Sequence, residues 1–282
     1  MYTGRFAPSP TGPLHLGSLI AAAASWLDAR AAGGRWLVRI EDLDRPRCVP
    51  GAAEAILRAL ERLGLYWDGD VLYQSRRLEH YRAALDRLVA HTYWCGCTRR
   101  EVADSSLGLA ADGAHIYPGT CRAGTAHKRA LRLRTSSEPI VFVDRVQGRC
   151  GQTLERDIGD FVLYRADGLF AYQLAVVVDD GAQGVTDVVR GADLLDSTPR
   201  QIYLQRLLGL PTPRYLHVPV ALDAAGAKLS KQSAATPIET DPRALRRALA
   251  FLGQPEAATL AEALSRWDPQ LISRRRATAL AP

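Results

Sequence analysis

The sequence predicts an α/β protein whose parallel sheet is interrupted by an inserted, cysteine-bearing module and followed by a short helical C-terminal region. Three observations predict it. A strand, a helix and a second strand follow one another within the first 40 residues, the cluster Cys95-x-Cys97 with Cys121 breaks that rhythm, and apolar strand patterns resume at 184–191 and 216–222.

The first strand begins near Tyr2 and runs into Arg5-Phe6-Ala7-Pro8-Ser9-Pro10-Thr11-Gly12-Pro13, a loop stiffened by its prolines. Residues 19–31 then read as a helix, Gly33-Gly34 breaks it, and Arg35–Ile40 is the second strand, ending in Glu41-Asp42-Leu43-Asp44. In a parallel sheet ligands bind beyond the carboxyl ends of the strands, so the loop 5–17 and the acids 41–44 share one functional edge. An acid there can hold an ammonium group or help carry Mg²⁺. A helix start presents unpaired N–H groups and a partial positive charge, which suits a phosphate; His15 adds a donor and Gly17 permits close approach.

Residues 51–64 and 75–91 carry helical spacing and read as packing helices. From Tyr93 the texture changes. Cys95, Cys97 and Cys121 are three soft ligands for a closed structural zinc site, with a fourth from His115, Tyr117 or His127. Cys48 and Cys150 read as buried thiols. Alternation over 129–154 predicts a hairpin, so residues 92–155 form an insertion, after which 160–164 is expected to resume the main sheet. Tyr172–Asp180 is an apolar segment ending in two carboxylates. The strand 184–191 places Arg190 at its carboxyl end, where a guanidinium can grip a carboxylate. Ser197 is expected to cap the helix that follows, and the last 50 residues are mostly helical by pattern.

At 282 residues and 47% hydrophobic content the chain is long enough for one large domain with an insertion or for two domains. No apolar run of about 18 residues occurs and the first residues lack a secretory pattern, so a cytoplasmic, non-membrane protein is expected. Five cysteines, an odd number, favour reduced thiols or metal ligands over a disulfide framework. The net charge of +6 suits a polyanionic partner. Of the 36 basic residues only Lys128, Lys228 and Lys231 are lysine, so two lysines three positions apart suggest a site wanting a compact ammonium that tracks a phosphate.

His15-Leu16-Gly17-Ser18 and Lys228-Leu229-Ser230-Lys231-Gln232 resemble the paired signatures of class I aminoacyl-tRNA synthetases. The wider frame is similar to the glutamyl-tRNA synthetase catalytic domain over residues 2–240: Arg5-Phe-Ala-Pro-Ser9-Pro-Thr-Gly, Arg39-Ile-Glu41-Asp42, Tyr172, Val189-Arg190-Gly191 and Ser197-Thr-Pro-Arg200-Gln201. The cysteine cluster resembles the glutamyl-queuosine tRNA(Asp) synthetase family, short paralogues that attach glutamate to the wobble base queuosine. Ser18 and Gln232 depart from the general class I pattern, where histidine and serine are common.

The resemblance implies a Rossmann-type catalytic domain in two halves, 1–91 and 156–213, around a zinc-containing, acceptor-like insertion at 92–155. A lysine-loop and truncated stem-contact region, 214–282, would then leave no room for an anticodon-binding domain. It implies that Arg5, Phe6, Ala7, Pro8, Ser9, Glu41, Tyr172 and Arg190 hold L-glutamate. His15, Gly17, Ser18, Lys228 and Lys231 would serve ATP, which enters with Mg²⁺ as substrate, and His15, Lys228 and Lys231 are the expected catalytic groups. Cys95, Cys97, Tyr117 and Cys121 would ligate one zinc. The partner would be tRNA(Asp) bearing queuosine, and a monomer is expected. Rival readings are a truncated glutamyl-tRNA synthetase that charges a tRNA 3′ end and an inactive synthetase-like protein that binds RNA.

Overall fold

The chain opens with β1 (Thr3–Phe6), α1 (Leu16–Ala31) and β2 (Arg35–Ile40), followed by α2 (Ala52–Arg62), β3 (Leu72–Tyr73) and α3 (Leu78–Arg87). The middle holds β4 (Thr92–Cys95), α4 (Arg99–Asp104), β5 (Ala130–Leu133), β6 (Pro139–Asp144), β7 (Gly148–Thr153), α5 (Leu154–Asp157) and β8 (Val162–Tyr164). Then come α6 (Tyr172–Ala182), β9 (Asp187–Gly191), α7 (Thr198–Leu207), β10 (Arg214–Val218), β11 (Val220–Leu222), α8 (Ala244–Phe251), α9 (Leu260–Ser265) and β12 (Ala277–Ala279). This computed structural model describes residues 1–223, 226–229, 238 and 243–280.

Strands β1, β2 and β3 form one parallel sheet, and β7-β6-β10-β9 a second in which β9 and β10 run parallel from Asp187↔Arg214 to Gly191↔Val218. The two meet at β1 and β9. There the Thr186 N–H donates to the Thr3 carbonyl and the Thr3 N–H to Thr186 Oγ1, each at 2.9 Å, and α1 packs across both edges. α1 begins at Leu16, three residues before the expected start, because the imidazole of His15 serves as its N-cap and accepts from the Ser18 N–H.

Two apolar cores flank this junction. One gathers α1, β1, β2 and α2 with α8, through residues such as Leu19, Trp36, Ile56 and Leu252; the other gathers α3, α6 and α7 through Tyr81, Leu174 and Leu204. Buried carboxylates tie the parts together. Asp28 of α1 accepts from Tyr2 Oη at 2.5 Å, from both Arg145 terminal nitrogens at 2.5 and 2.9 Å, and from Trp267 Nε1 at 3.2 Å. Asp179 of α6 accepts from Gln74, Arg77 and Tyr81. Leaving either acid without partners would strand a charge in the core, so each set acts as a unit.

Several expectations change. The segment 160–164 does not resume the main sheet: β8 pairs antiparallel with β5, which also pairs with β4. Leu163 is thereby buried beside Leu133. The hairpin is β6–β7, without β5, and it joins the main sheet through β10; Gly148, at φ +78°, completes its turn. The apolar segment from Tyr172 is the helix α6, with Asp179 and Asp180 turned inward. Ser197 makes no side-chain cap; its hydroxyl accepts from Gln173 Nε2 at 3.1 Å instead. Cys48 and Cys150 are half-buried rather than buried, since one lies in a surface turn and the other on the hairpin. Among the described residues no helix is long and apolar enough to cross a membrane.

Candidate active site

The carboxyl ends of β1, β2, β9 and β10 converge on the N-terminus of α1 around a cavity of about 560 Å³. Arg5, Phe6, Ala7, Pro8, Ser9, Glu41, Tyr172 and Arg190 line it, as do His15, Gly17, Ser18 and Lys228. Residues drawn from five separate stretches of sequence therefore line one cavity. Lys231, Ser230 and Gln232 lie outside the described residues.

One end of the cavity is built on buried charge. Asp180 takes Arg5 Nε at 3.1 Å and Arg39 Nη1 at 2.8 Å, all three side chains being nearly inaccessible. Burial alone would raise the Asp180 pKa, but the two guanidinium groups outweigh it and hold the carboxyl below its usual range. Glu41 has the opposite fate. Its backbone N–H donates to the Pro8 carbonyl, which brings its side chain to the cavity, yet its Oε1 stands 3.5 Å from Arg39 Nη2 and neither atom has a hydrogen-bond partner among the described residues. Burial pushes the Glu41 carboxyl up to about 7, with Arg39 and Arg5 opposing the rise. The neighbouring acids turn elsewhere: Asp42 accepts from Ser75, and Asp44 pairs with Arg47 and Arg165.

In the same cavity, Arg190 Nη1 donates to Tyr172 Oη at 3.4 Å and Nη2 to Thr198 Oγ1 at 2.9 Å. Its Nε donates to His217 Nε2 at 3.0 Å. A cationic fork, a phenol and a carboxylate thus share one cavity, a set complementary to an amino acid with its own ammonium and carboxylates.

At the helix mouth His15 is an acceptor for the Ser18 N–H as well as a possible donor, with Nε2 3.0 Å from Ser18 Oγ. A side chain at Gly17 would come within 3.2 Å of the Leu229 carbonyl, so glycine is what lets the chain following Lys228 close on the helix start. Lys228 reaches Asp193 Oδ2 at 2.5 Å from an exposed position.

The cysteine cluster lies away from this cavity. The sulfur atoms of Cys95, Cys97 and Cys121 fall within 4.8 Å of one another. The Tyr117 hydroxyl is 3.4 Å from Cys95 Sγ and 3.6 Å from Cys97 Sγ, and it accepts the Cys121 N–H at 2.9 Å. His115 and His127 are both exposed, and neither belongs to the cluster. Three thiols and a phenol oxygen around one point fit a thiophilic, tetrahedral metal such as zinc.

Sequence reasoning missed Asp180, Arg39, His217, Asp144 and Asp193 as site residues. The first four are buried and act through other side chains. A charged or imidazole residue in an otherwise apolar strand, as in Trp36-Leu37-Val38-Arg39-Ile40 and Tyr215-Leu216-His217-Val218, was the available signal.

A family described as tRNA synthetases class I (E and Q), catalytic domain, matches residues 2–242. A glutamyl-Q tRNA(Asp) synthetase from Dechloromonas aromatica is 59% identical over 275 residues, covering 94% of this chain and 91% of that protein. One from Burkholderia cenocepacia is 61% identical over 264 residues, covering 89% of this chain and 88% of that protein. Among solved structures, a glutamate tRNA ligase from Elizabethkingia meningosepticum in complex with its amino acid superposes with a TM-score of 0.83 at 25% identity, covering 99% of this chain and 67% of that one.

The raised Glu41 pKa has a defined sign. Between the ordinary value of 4.5 and about 7 the folded chain keeps a proton that the unfolded chain has lost, so this group's contribution to stability falls as pH rises through that window. Glu41→Gln removes the effect. Urea denaturation should show the variant gaining on the wild type between pH 5 and pH 8 by roughly 2–3 kcal/mol; a difference that stays constant across that range contradicts the assignment.

Proposed function

The chain belongs to the class I tRNA synthetase family (E and Q) through a catalytic domain that spans most of its length. From that premise we propose that it uses ATP to convert L-glutamate to glutamyl-adenylate without tRNA, and then transfers the glutamyl group to the queuosine wobble base of tRNA(Asp). The carrying observation is the single cavity in which Arg5, Arg190, Tyr172 and Glu41 stand beside the start of α1. Arg5, Arg190 and Tyr172 are already held by protein partners, which supports activation in the absence of RNA. The queuosine-bearing tRNA(Asp) as acceptor rests on the relatives named glutamyl-Q tRNA(Asp) synthetase.

No protein nucleophile is required. An oxygen of the substrate's α-carboxylate attacks the α-phosphorus of ATP, the bond to the bridging oxygen breaks, and pyrophosphate leaves with that electron pair. Catalysis consists of holding two anions together and stabilising the charge that develops on phosphoryl oxygens. Arg5 and Arg190 take carboxylates, ionised Glu41 takes the ammonium, Tyr172 supplies a hydroxyl, and residues 6–9 shape the floor. The N–H groups of α1 with His15, Gly17 and Ser18 receive phosphate, and Lys228 with Lys231 neutralises the triphosphate that arrives with Mg²⁺. A cyclopentenediol hydroxyl of queuosine then attacks the anhydride carbonyl, loses its proton, and expels AMP to leave an ester.

Cys95, Cys97, Tyr117 and Cys121 would hold one structural zinc, cross-linking β4 to the loop 117–121. Metal analysis of protein purified without chelator should find about one zinc per chain. Finding none contradicts the assignment.

Glutamate-dependent exchange of pyrophosphate into ATP should proceed with no tRNA present, and a strict tRNA requirement contradicts tRNA-independent activation. With radiolabelled glutamate, label should appear only on tRNA containing queuosine and should survive removal of the 3′-terminal adenosine. Label lost with that adenosine would assign a truncated glutamyl-tRNA synthetase, and no exchange at all an inactive RNA-binding paralogue.

A further inference from the structure

Asp144, the last residue of β6, and His217 of β10 are completely buried, and neither lines the cavity. They nevertheless stand directly behind Arg190. His217 Nδ1 lies 2.7 Å from Asp144 Oδ2, while His217 Nε2 receives the Nε–H of Arg190 at 3.0 Å. We propose that Asp144 and His217 form a positioning pair that fixes the Arg190 guanidinium for the amino-acid carboxylate and so sets glutamate affinity. This rests on the reading of Arg190 as a glutamate ligand.

The chemistry follows from the donors. A guanidinium only donates, so the nitrogen facing it must carry a lone pair, and the imidazole proton must therefore sit on Nδ1, where Asp144 accepts it. Burial, reinforced by Arg190 and only partly offset by Asp144, pushes the His217 pKa down to about 4, which keeps the ring neutral near pH 7. Asp144 is itself held: its Oδ1 accepts the backbone N–H groups of Val146, Gln147 and His217 at 3.0, 2.8 and 3.2 Å. The Gln147 side chain closes the loop by donating to the His217 carbonyl at 3.0 Å.

A neutral holder has a consequence that a carboxylate would not. Arg5 is oriented by Asp180, which offsets its charge, whereas among the described residues Arg190 has no carboxylate within ion-pair distance. The imidazole fixes the direction of the fork and leaves its positive charge for an anionic substrate. It also makes the β6–β7 hairpin, which does not line the cavity, a determinant of amino-acid binding.

Asp144→Asn tests this, because the amide can still accept the backbone N–H groups while presenting its NH₂ to Nδ1. That drives the imidazole proton onto Nε2, against the Arg190 N–H. In pyrophosphate exchange the glutamate KM should rise at least about tenfold, the scale of one hydrogen bond to a charged group, while the ATP KM and kcat at saturating glutamate stay within about twofold. His217→Gln, whose amide oxygen can still accept from Arg190, should retain a lower glutamate KM than His217→Leu, and thermal melting of each variant reports folding separately. An unchanged glutamate KM in Asp144→Asn, equal KM values for His217→Gln and His217→Leu, or a loss spread equally over kcat and the ATP KM overturns the proposal. Absence of exchange in the wild type would instead refute the function assigned above.

Discussion

Asp180 ties the helix α6 to the first parallel sheet. It sits on α6, yet the guanidinium groups it accepts belong to β1 and β2, with Arg5 lying 175 positions earlier in the chain. Two cations beside one buried anion would be costly in isolation, and together they form a cluster whose members cannot be separated without stranding a charge. That constraint fixes Arg5 in the lining of the cavity and holds Arg39 beside Glu41. It also leaves Glu41 poorly paired, with a proton held to about pH 7 until a cation arrives to take its place. Under the proposed function the ammonium of the amino-acid substrate is that cation, and the cost of burying Glu41 in the free protein becomes selectivity for a substrate that carries one.

Arg190 is held by another rule. It is oriented by neutral groups, a histidine, a threonine and a tyrosine, so its charge is preserved. One arginine is therefore partly neutralised by its anchor and the other is not. The pocket is asymmetric in charge, which suits the ligand proposed for it, with an ammonium and carboxylates at different distances.

Much of the site was legible because its residues stand at strand ends and helix starts, where chain geometry limits what they can do. Arg5 and Arg190 lie near the ends of strands, and His15 and Glu41 directly flank a helix and a strand, elements whose type the apolar pattern announces; the cavity gathers them. Asp180, Asp144 and His217 were not legible as site residues, because their roles lie in pairings between distant segments that periodicity does not encode. The fold shows the same division. The β1–α1–β2 unit, α2, α3 and the strands β9 and β10 follow local pattern. The docking of β6–β7 onto β10 and of β8 onto β5 depends on which edges tertiary packing leaves open, and the alternation of Val162-Leu163-Tyr164 suits either sheet equally. Tyr117, open against His115 and His127 on spacing alone, is distinguished by burial, since its ring packs under Arg132 with its hydroxyl among the thiols.

The most direct measurement of the central coupling is calorimetric glutamate binding to Asp180→Asn, a nearly isosteric change that removes the anion between Arg5 and Arg39, compared with the wild type under conditions where both retain native circular dichroism. If the buried carboxylate organises the pocket, the variant binds glutamate at least about tenfold more weakly, the order expected when a charge-assisted contact is lost. Equal affinity in the two proteins would contradict the account.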